Sequence, residues 1–248
     1  MRLGIISDIH SNAEALDSVL KDMSNIDEFI CLGDIVGYGA DPNYCVRKIR
    51  ELKASRCIAG NHDFGTVGKI DLNYFNDAAR EAILWTSQQL EETDFKYLIN
   101  LPEKLNILED NDNLGAVHGS PRKPIWEYIL DGITAHIIFS QYDFKIYFVG
   151  HSHIAGYFSC DKNTGRINYT FLNRGGNIAI EENKRYIINC GSVGQPRDGN
   201  PQASYGIYDL NRQRVIINRV PYPFSLTQKK IIKAGLPEVL AERLSLGR

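Results

Sequence analysis

Five short apolar runs in the first 153 residues stop in the same way, on side chains able to hold a metal, and this coincidence constrains the chain most. After "LGIIS" comes Asp8-Ile9-His10, and after "FICL" comes Gly33-Asp34. After "CIA" comes Gly60-Asn61-His62-Asp63, after "GAV" His118-Gly119, and after "YFV" Gly150-His151-Ser152-His153. Runs of this length and composition read as buried strands. Ligands of open α/β sheets gather beyond the carboxyl ends of strands, so all five clusters are expected on one edge. Glycine beside them lets backbone and side chains crowd. Singly, each cluster has a plain reading as a helix cap or a turn. Together they take in five of the six histidines and predict a metal site. Carboxylate, imidazole and one amide, with no thiolate among them, argue against structural zinc or iron–sulfur and for a catalytic first-row metal.

Helical patterns separate these runs. Ser11-Asn12-Ala13-Glu14 reads as a capping box ahead of Leu16, Val19, Leu20 and Met23 at helical spacing. Asp41-Pro42 supplies an N-cap and first-turn proline ahead of Val46, Ile49 and Leu52. Residues 76–90, 94–101 and 133–141 also read as helical. Beyond residue 153 the pattern changes to "AGYFSC", "GRINYTF", "GNIAIE", "RYIINCG", "ASYGIYDL" and "RVIINRV", which predict antiparallel strands and hairpins. Residues 225–248 predict two short amphipathic helices around Gly235-Leu236-Pro237. A βα-rich half joined to a β-rich half predicts sheets packed together with helices outside, in one domain over 1–248.

A formal net charge of −2 carries no basic face or stripe, so no nucleic-acid partner is expected. No apolar run is long enough to cross a bilayer, so no membrane association is expected either. The first residues enter a strand pattern directly, without a signal-peptide core. Cys31, Cys45, Cys57, Cys160 and Cys190 are odd in number and form no C-x-x-C, which reads as reduced thiols in a cytoplasmic protein.

In this order, D-x-H, G-D, G-N-H-D, H-G and G-H-x-H resemble the calcineurin-like metallophosphoesterase superfamily. The stretch 189–209, "NCGSVGQPRDGNPQASYGIYD", is similar to its bacterial and archaeal small phosphodiesterase branch. The resemblance implies an α/β fold of two packed mixed β-sheets flanked by helices, a four-layer αββα sandwich. It implies two divalent transition-metal ions, manganese first, with iron, nickel, cobalt or zinc as alternatives. One ion would sit on Asp8, His10, Asp34 and His153. The other would sit on Asp34, Asn61, His118 and His151, with Asp34 and a water or hydroxide bridging. His62 would serve the leaving-group oxygen, with Asp63 orienting its imidazole or, on the plain reading, capping a helix or turn.

On the substrate side, Arg197 is expected to grip phosphate beside Ser192 and the loop glycines, with Asn61 also within reach. The plain alternative for Arg197 is an ion pair with Asp198 or Asp63. Arg122 and Lys123 read as rim charges or solvated residues. Tyr38, Asn43 and Tyr44 read as base contacts or packing, Phe75 and Trp85 as lid or core, and His136 as structural. The implied activity is hydrolysis of phosphodiester or phosphomonoester bonds in a small, phosphorylated or nucleotide-like substrate. A diadenosine polyphosphate hydrolase comes next. A protein Ser/Thr phosphatase is disfavoured because "GDIVGYG" and "GNHD" lack the arginine and glutamate of those enzymes. A non-catalytic scaffold and a nuclease rank last. Oligomeric state is not indicated.

Overall fold

Alternation along the strands divides their side chains between separate cores, and this sorting builds the layers. In the computed structural model, which describes residues 1–52, 55–108 and 111–248, the first half runs β1 (Arg2–Ile6), α1 (Ala13–Asp22), β2 (Glu28–Cys31), α2 (Pro42–Glu51), β3 (Ser55–Cys57) and α3 (Asn61–Thr66). A short 3₁₀ turn (Leu72–Tyr74), α4 (Asp77–Gln89), α5 (Glu92–Ile99), β4 (Lys104–Leu108), β5 (Asn111–Val117), α6 (Gly132–Gln141) and β6 (Ile146–Val149) follow. The second half runs β7 (Gly156–Asp161), β8 (Ile167–Phe171), β9 (Gly176–Ala179), β10 (Lys184–Asn189), β11 (Ala203–Asp209) and β12 (Arg214–Val220). Two helices, α7 (Phe224–Lys233) and α8 (Glu238–Leu246), complete it.

These strands form two six-stranded sheets, ordered β3-β2-β1-β11-β12-β9 and β4-β5-β6-β10-β7-β8. Leu3, Ile5, Ile30 and Leu32 of the first pack against Leu114, Ile146, Phe148 and Ile188 of the second, making the core between the sheets. Ile6 and Cys31, on the other side, join Leu16, Val19, Val46 and Ile49 beneath α1 and α2. Val117, Val149 and Ile187 pack against Ala135, Ile138 and Phe139 of α6. The result is the expected αββα order of layers. No helix of the described residues is long and apolar enough to cross a membrane.

Pairing departs from the sequence reading in one respect that matters for the site. The strands of the second half, read as antiparallel, divide between both sheets, and one of them joins a parallel pair. Strands β11, β12 and β9 extend the parallel trio β1–β3, while β10 lies parallel to β6 with Tyr186 opposite Ile146. Each sheet is therefore mixed, with a parallel centre whose carboxyl ends face the same way. Two elements escaped the reading. Strand β4 has mostly exposed or half-buried side chains, and α3, read as a turn, is one short helix containing Gly65.

Where β2 and β3 end, the two loops touch. Gly33 has φ +88, and a Cβ on it would lie 2.3 Å from the Gly60 nitrogen. Only glycine meets both demands. Gly33→Ala should lower unfolding stability by about 2 kcal/mol or more, combining left-handed strain with a backbone clash. Urea denaturation checks this, and a near-wild-type midpoint would contradict the crowding.

Candidate metal centre

The ligand-type side chains are aimed by an unusual backbone. Asp8, His10, Asp34, His151 and His153 all have positive φ, between 50° and 64°. Such left-handed bends cost non-glycine residues energy and persist only where the surroundings enforce them. Here each bend turns the chain back over a strand end. Backbone bonds between the two loops hold the bends in place, with Asp8 N–H donating to Gly33 O and His10 N–H to Asp34 O.

Backbone carbonyls then fix the tautomer of four histidines. The Nδ1–H groups of His10, His118 and His153 donate to the carbonyls of Val36, Leu32 and Gln195 at 3.2, 2.8 and 2.6 Å. His151 is reversed, with Nε2–H donating to Trp126 O at 3.2 Å. A carbonyl can only accept, so in each neutral ring the other nitrogen carries a lone pair. Those lone pairs converge. His10 Nε2 lies 3.2 Å from His153 Nε2, and His118 Nε2 lies 3.2 Å from His151 Nδ1.

Carboxylates complete two groups. Asp8, His10, Asp34 and His153 form one, and Asp34, His118 and His151 the other, with ligand atoms in each within 4.8 Å of one another. Asp34 Oδ2 belongs to both, 3.6 Å from His10 Nε2 and 3.3 Å from His118 Nε2. Asn61 Oδ1 joins the second group, 3.1 Å from His118 Nε2. Asp8 Oδ2 is buried without a hydrogen-bond partner. Lone pairs facing lone pairs, with an orphaned buried carboxylate oxygen among them, fit a cation between them. The donors are nitrogen and oxygen only, while all five cysteines are free and buried elsewhere.

Burial shapes the electrostatics. It holds His10 and His153 well below the ordinary imidazole range, and lowers His151 to about 3. Burial would lower His118 too, but Asp34, Asp8 and the Leu32 carbonyl outweigh it and raise the ring to about 9. Asp34 answers this. Burial pushes it up, yet His118, His62 and His10 together hold it well below the usual carboxylate range. Asp8 is raised to about 6, first by burial. The cluster is a buried sink for positive charge.

Not every expected residue takes its expected role. Asp63 does not touch the His62 imidazole. Its Oδ1 accepts from Ile35 and Val36 N–H at 2.9 and 3.1 Å, and Oδ2 accepts from Gly60 N–H at 2.9 Å. Burial and Asp34 push this carboxyl up to about 7 despite those donors, but an all-acceptor geometry suits the ionised form. The plain reading as a cap thus describes Asp63, which ties α3 to the loop after Asp34. His62 Nδ1 is buried and unpartnered. Its ring is oriented instead by Tyr38 at 4.3 Å, His10 at 4.8 Å and Phe75 at 5.3 Å. Burial lowers His62 to about 4.

Ser192 is fully buried, its hydroxyl donating to Asp8 O and accepting from Gln195 N–H, both at 2.8 Å. That makes it a brace for the ligand loop, with no O–H spare to donate to a phosphate. Arg197 lines the cleft beside Asp34, Tyr38, Asn61, His62 and His153. It has no carboxylate partner among the described residues. It donates to Gln195 Oε1 at 2.8 Å and lies over the Tyr38 ring at 5.6 Å. Its expected alternative partner Asp198 is engaged by Arg219.

The remaining candidates divide. Phe75 reaches the cleft, while Trp85 packs under α7 and α8. Tyr44 bonds Asp17 and Asn43 bonds Gln89 O, both away from the cluster. Arg122 pairs with Glu127, and His136 is exposed on α6. Tyr128, stacked on His151 at 3.9 Å, and the carbonyls of Trp126 and Gln195 carried no sequence signal. Backbone acceptors have no letter of their own. Asp63→Ala would leave three buried N–H groups unpaired and should cost about 3 kcal/mol of stability. A chemical-denaturation shift below about 1 kcal/mol would contradict the capping role.

A family model described as the calcineurin-like phosphoesterase superfamily domain matches residues 1–213. An uncharacterized protein of Methanocaldococcus jannaschii is 45% identical, with 99% of this chain and 98% of that protein covered. The crystal structure of a metallophosphoesterase from Sphaerobacter thermophilus superposes with a TM-score of 0.87 at 41% identity, covering 100% of this chain and 99% of that one. A hypothetical protein of Pyrococcus horikoshii OT3 shares the fold at a TM-score of 0.79 and 19% identity, covering 100% of this chain and 98% of that one.

Proposed function

Because this chain belongs to the calcineurin-like phosphoesterase superfamily, we propose that it hydrolyses phosphodiester or phosphomonoester bonds of a small phosphorylated substrate with two divalent cations. The sharing of Asp34 Oδ2 between two ligand groups is the observation that carries this reading. Asp8, His10, Asp34 and His153 would hold one cation, and Asp34, Asn61, His118 and His151 the other. When bound, such a pair lowers the pKa of a water and offsets charge on the phosphoryl oxygens.

The chain's own residues supply the rest. Asp34 is kept from rotating because its Oδ1 accepts the His62 N–H at 2.8 Å. Arg197, held by Gln195 and Tyr38, is set to grip a non-bridging phosphate oxygen. His62 turns its unpartnered Nδ1 against Gly37, where a Cβ would come within 2.5 Å. That leaves Nε2 to donate a hydrogen bond to the leaving-group oxygen. Aromatic rings of Tyr38, Phe75, Trp126 and Tyr128 wall the cleft and limit water around the reacting group. First-row divalent metals, manganese included, suit the nitrogen and oxygen donors.

Two measurements test this. His62→Ala should keep its metals yet lose about 10²–10⁴-fold in kcat on an aryl phosphate, and unchanged turnover would remove the leaving-group role. His151→Ala and His153→Ala should each retain about one of two ions, and the double variant neither. Metal analysis in which the double variant matches either single would overturn the two separate sites.

A further inference from the structure

Behind α3 lies a second concavity that the metal centre does not use. It holds about 520 Å³, against about 80 Å³ for the cleft over the metal ligands. Phe64, Ile70, Pro124, Ile125 and Trp126 give it an apolar floor, and Lys69, Lys123 and Glu103 stand around that floor. Trp126 lines both this groove and the metal cleft, where its ring meets Phe75 at 5.0 Å and its carbonyl accepts from His151. Phe64, two residues beyond His62, ties the groove to the same helix as the candidate catalytic histidine.

The charges around the floor are available. Among the described residues neither Lys69 nor Lys123 has a carboxylate at salt-bridge distance. Lys69 lies over the Phe64 ring at 4.3 Å. Lys123 feels Glu127, but that carboxylate is already bonded by Arg122 and Ser120. Both lysines are exposed, as is Glu103. An apolar floor with two ammonium groups beside it suits an aromatic group that brings its own negative charge. The single carboxylate suits an amino group on that ring. These are the parts of an amino-bearing nucleotide.

We propose that this groove binds the distal half of the substrate, an amino-bearing nucleotide unit joined through the scissile phosphate to the part held over the metals. Trp126 is the partition that the two halves straddle. The proposal deepens the phosphoesterase reading and rests on it for the word substrate, while binding at the groove stands on Lys69, Lys123 and Trp126 alone.

The test has a binding arm and a kinetic arm. In a Trp85→Phe background Trp126 is the remaining one of the chain's two tryptophans. Adenosine 5′-monophosphate, added to metal-loaded protein with inorganic phosphate saturating the cleft, should quench it saturably. Affinity should fall about tenfold in the Lys69→Ala/Lys123→Ala double variant, with circular dichroism unchanged. In kinetics, Lys69→Ala should raise KM about tenfold for the 5′-phosphorylated dinucleotide pApA. It should leave kcat for pApA, and both constants for p-nitrophenyl phosphate, as in the wild type. Absence of quenching, or quenching equal in the double variant, overturns the groove. If p-nitrophenyl phosphate is still hydrolysed then, the phosphoesterase reading survives. A groove that binds the nucleotide while pApA shows no lysine-dependent KM overturns the substrate assignment.

Discussion

One oxygen, Oδ2 of Asp34, sets the terms for the rest of the molecule. It must lie near a histidine from the loop after β1 and another from the loop after β5. Those strands belong to different sheets. The sandwich therefore has to bring the carboxyl ends of both parallel centres to the same level. The other oxygen of the same carboxylate is occupied by the His62 N–H, so the side chain cannot swing to serve one group alone. A carboxylate shared by two ligand-type groups is only as good as the two sheets that aim at it.

Gathering that many polar groups in a dry place works against folding. Left-handed backbone at five of the ligand-type residues, buried carboxylates and lone pairs facing lone pairs each raise the energy of the native state. The opposing term is the core between the sheets, where Leu3, Ile5, Phe148 and Ile188 are fully buried. Glycine at 33 and 60 lets the two loops approach to a distance no side chain would allow. Asp63 commits both of its carboxylate oxygens to backbone N–H groups of those loops. Strain at the centre is thus confined by regular structure on every side, and bound cations would offset part of it.

Around the ligands, rings take over from hydrogen bonds. His62 is held by Tyr38 and Phe75, His151 is covered by Tyr128, and Arg197 rests on Tyr38. Tyr38 is itself pressed by Ile231, Leu240 and Leu244 of the last two helices. The end of the chain, beyond the matched family region, therefore supports a wall of the cleft. An aromatic wall orients without adding charge, which leaves the field in the cleft to Asp34, Arg197 and any cation held there.

Much of this was legible in the chain. Short apolar runs ending in Asp, Asn or His named the ligand-type residues because a strand's end is where side chains leave the sheet. Helical periodicity placed α1, α2, α4 and α6, and Gly235-Leu236-Pro237 marked the break between α7 and α8. What could not be read were relations between distant segments. Nothing near Tyr186 says that β10 will pair in parallel with Ile146. No letter reports that Gln195 and Trp126 lend carbonyls to histidines. Asp63 and Ser192 have side chains suited to chemistry, and only their neighbours show both spent on the backbone. Which groups could bind a cation and which faces would be buried can be read along the chain, since composition and periodicity are local. Tertiary structure alone decided how those groups meet, because register, left-handed bends and hydrogen-bond partners arise from contacts between segments far apart in the chain.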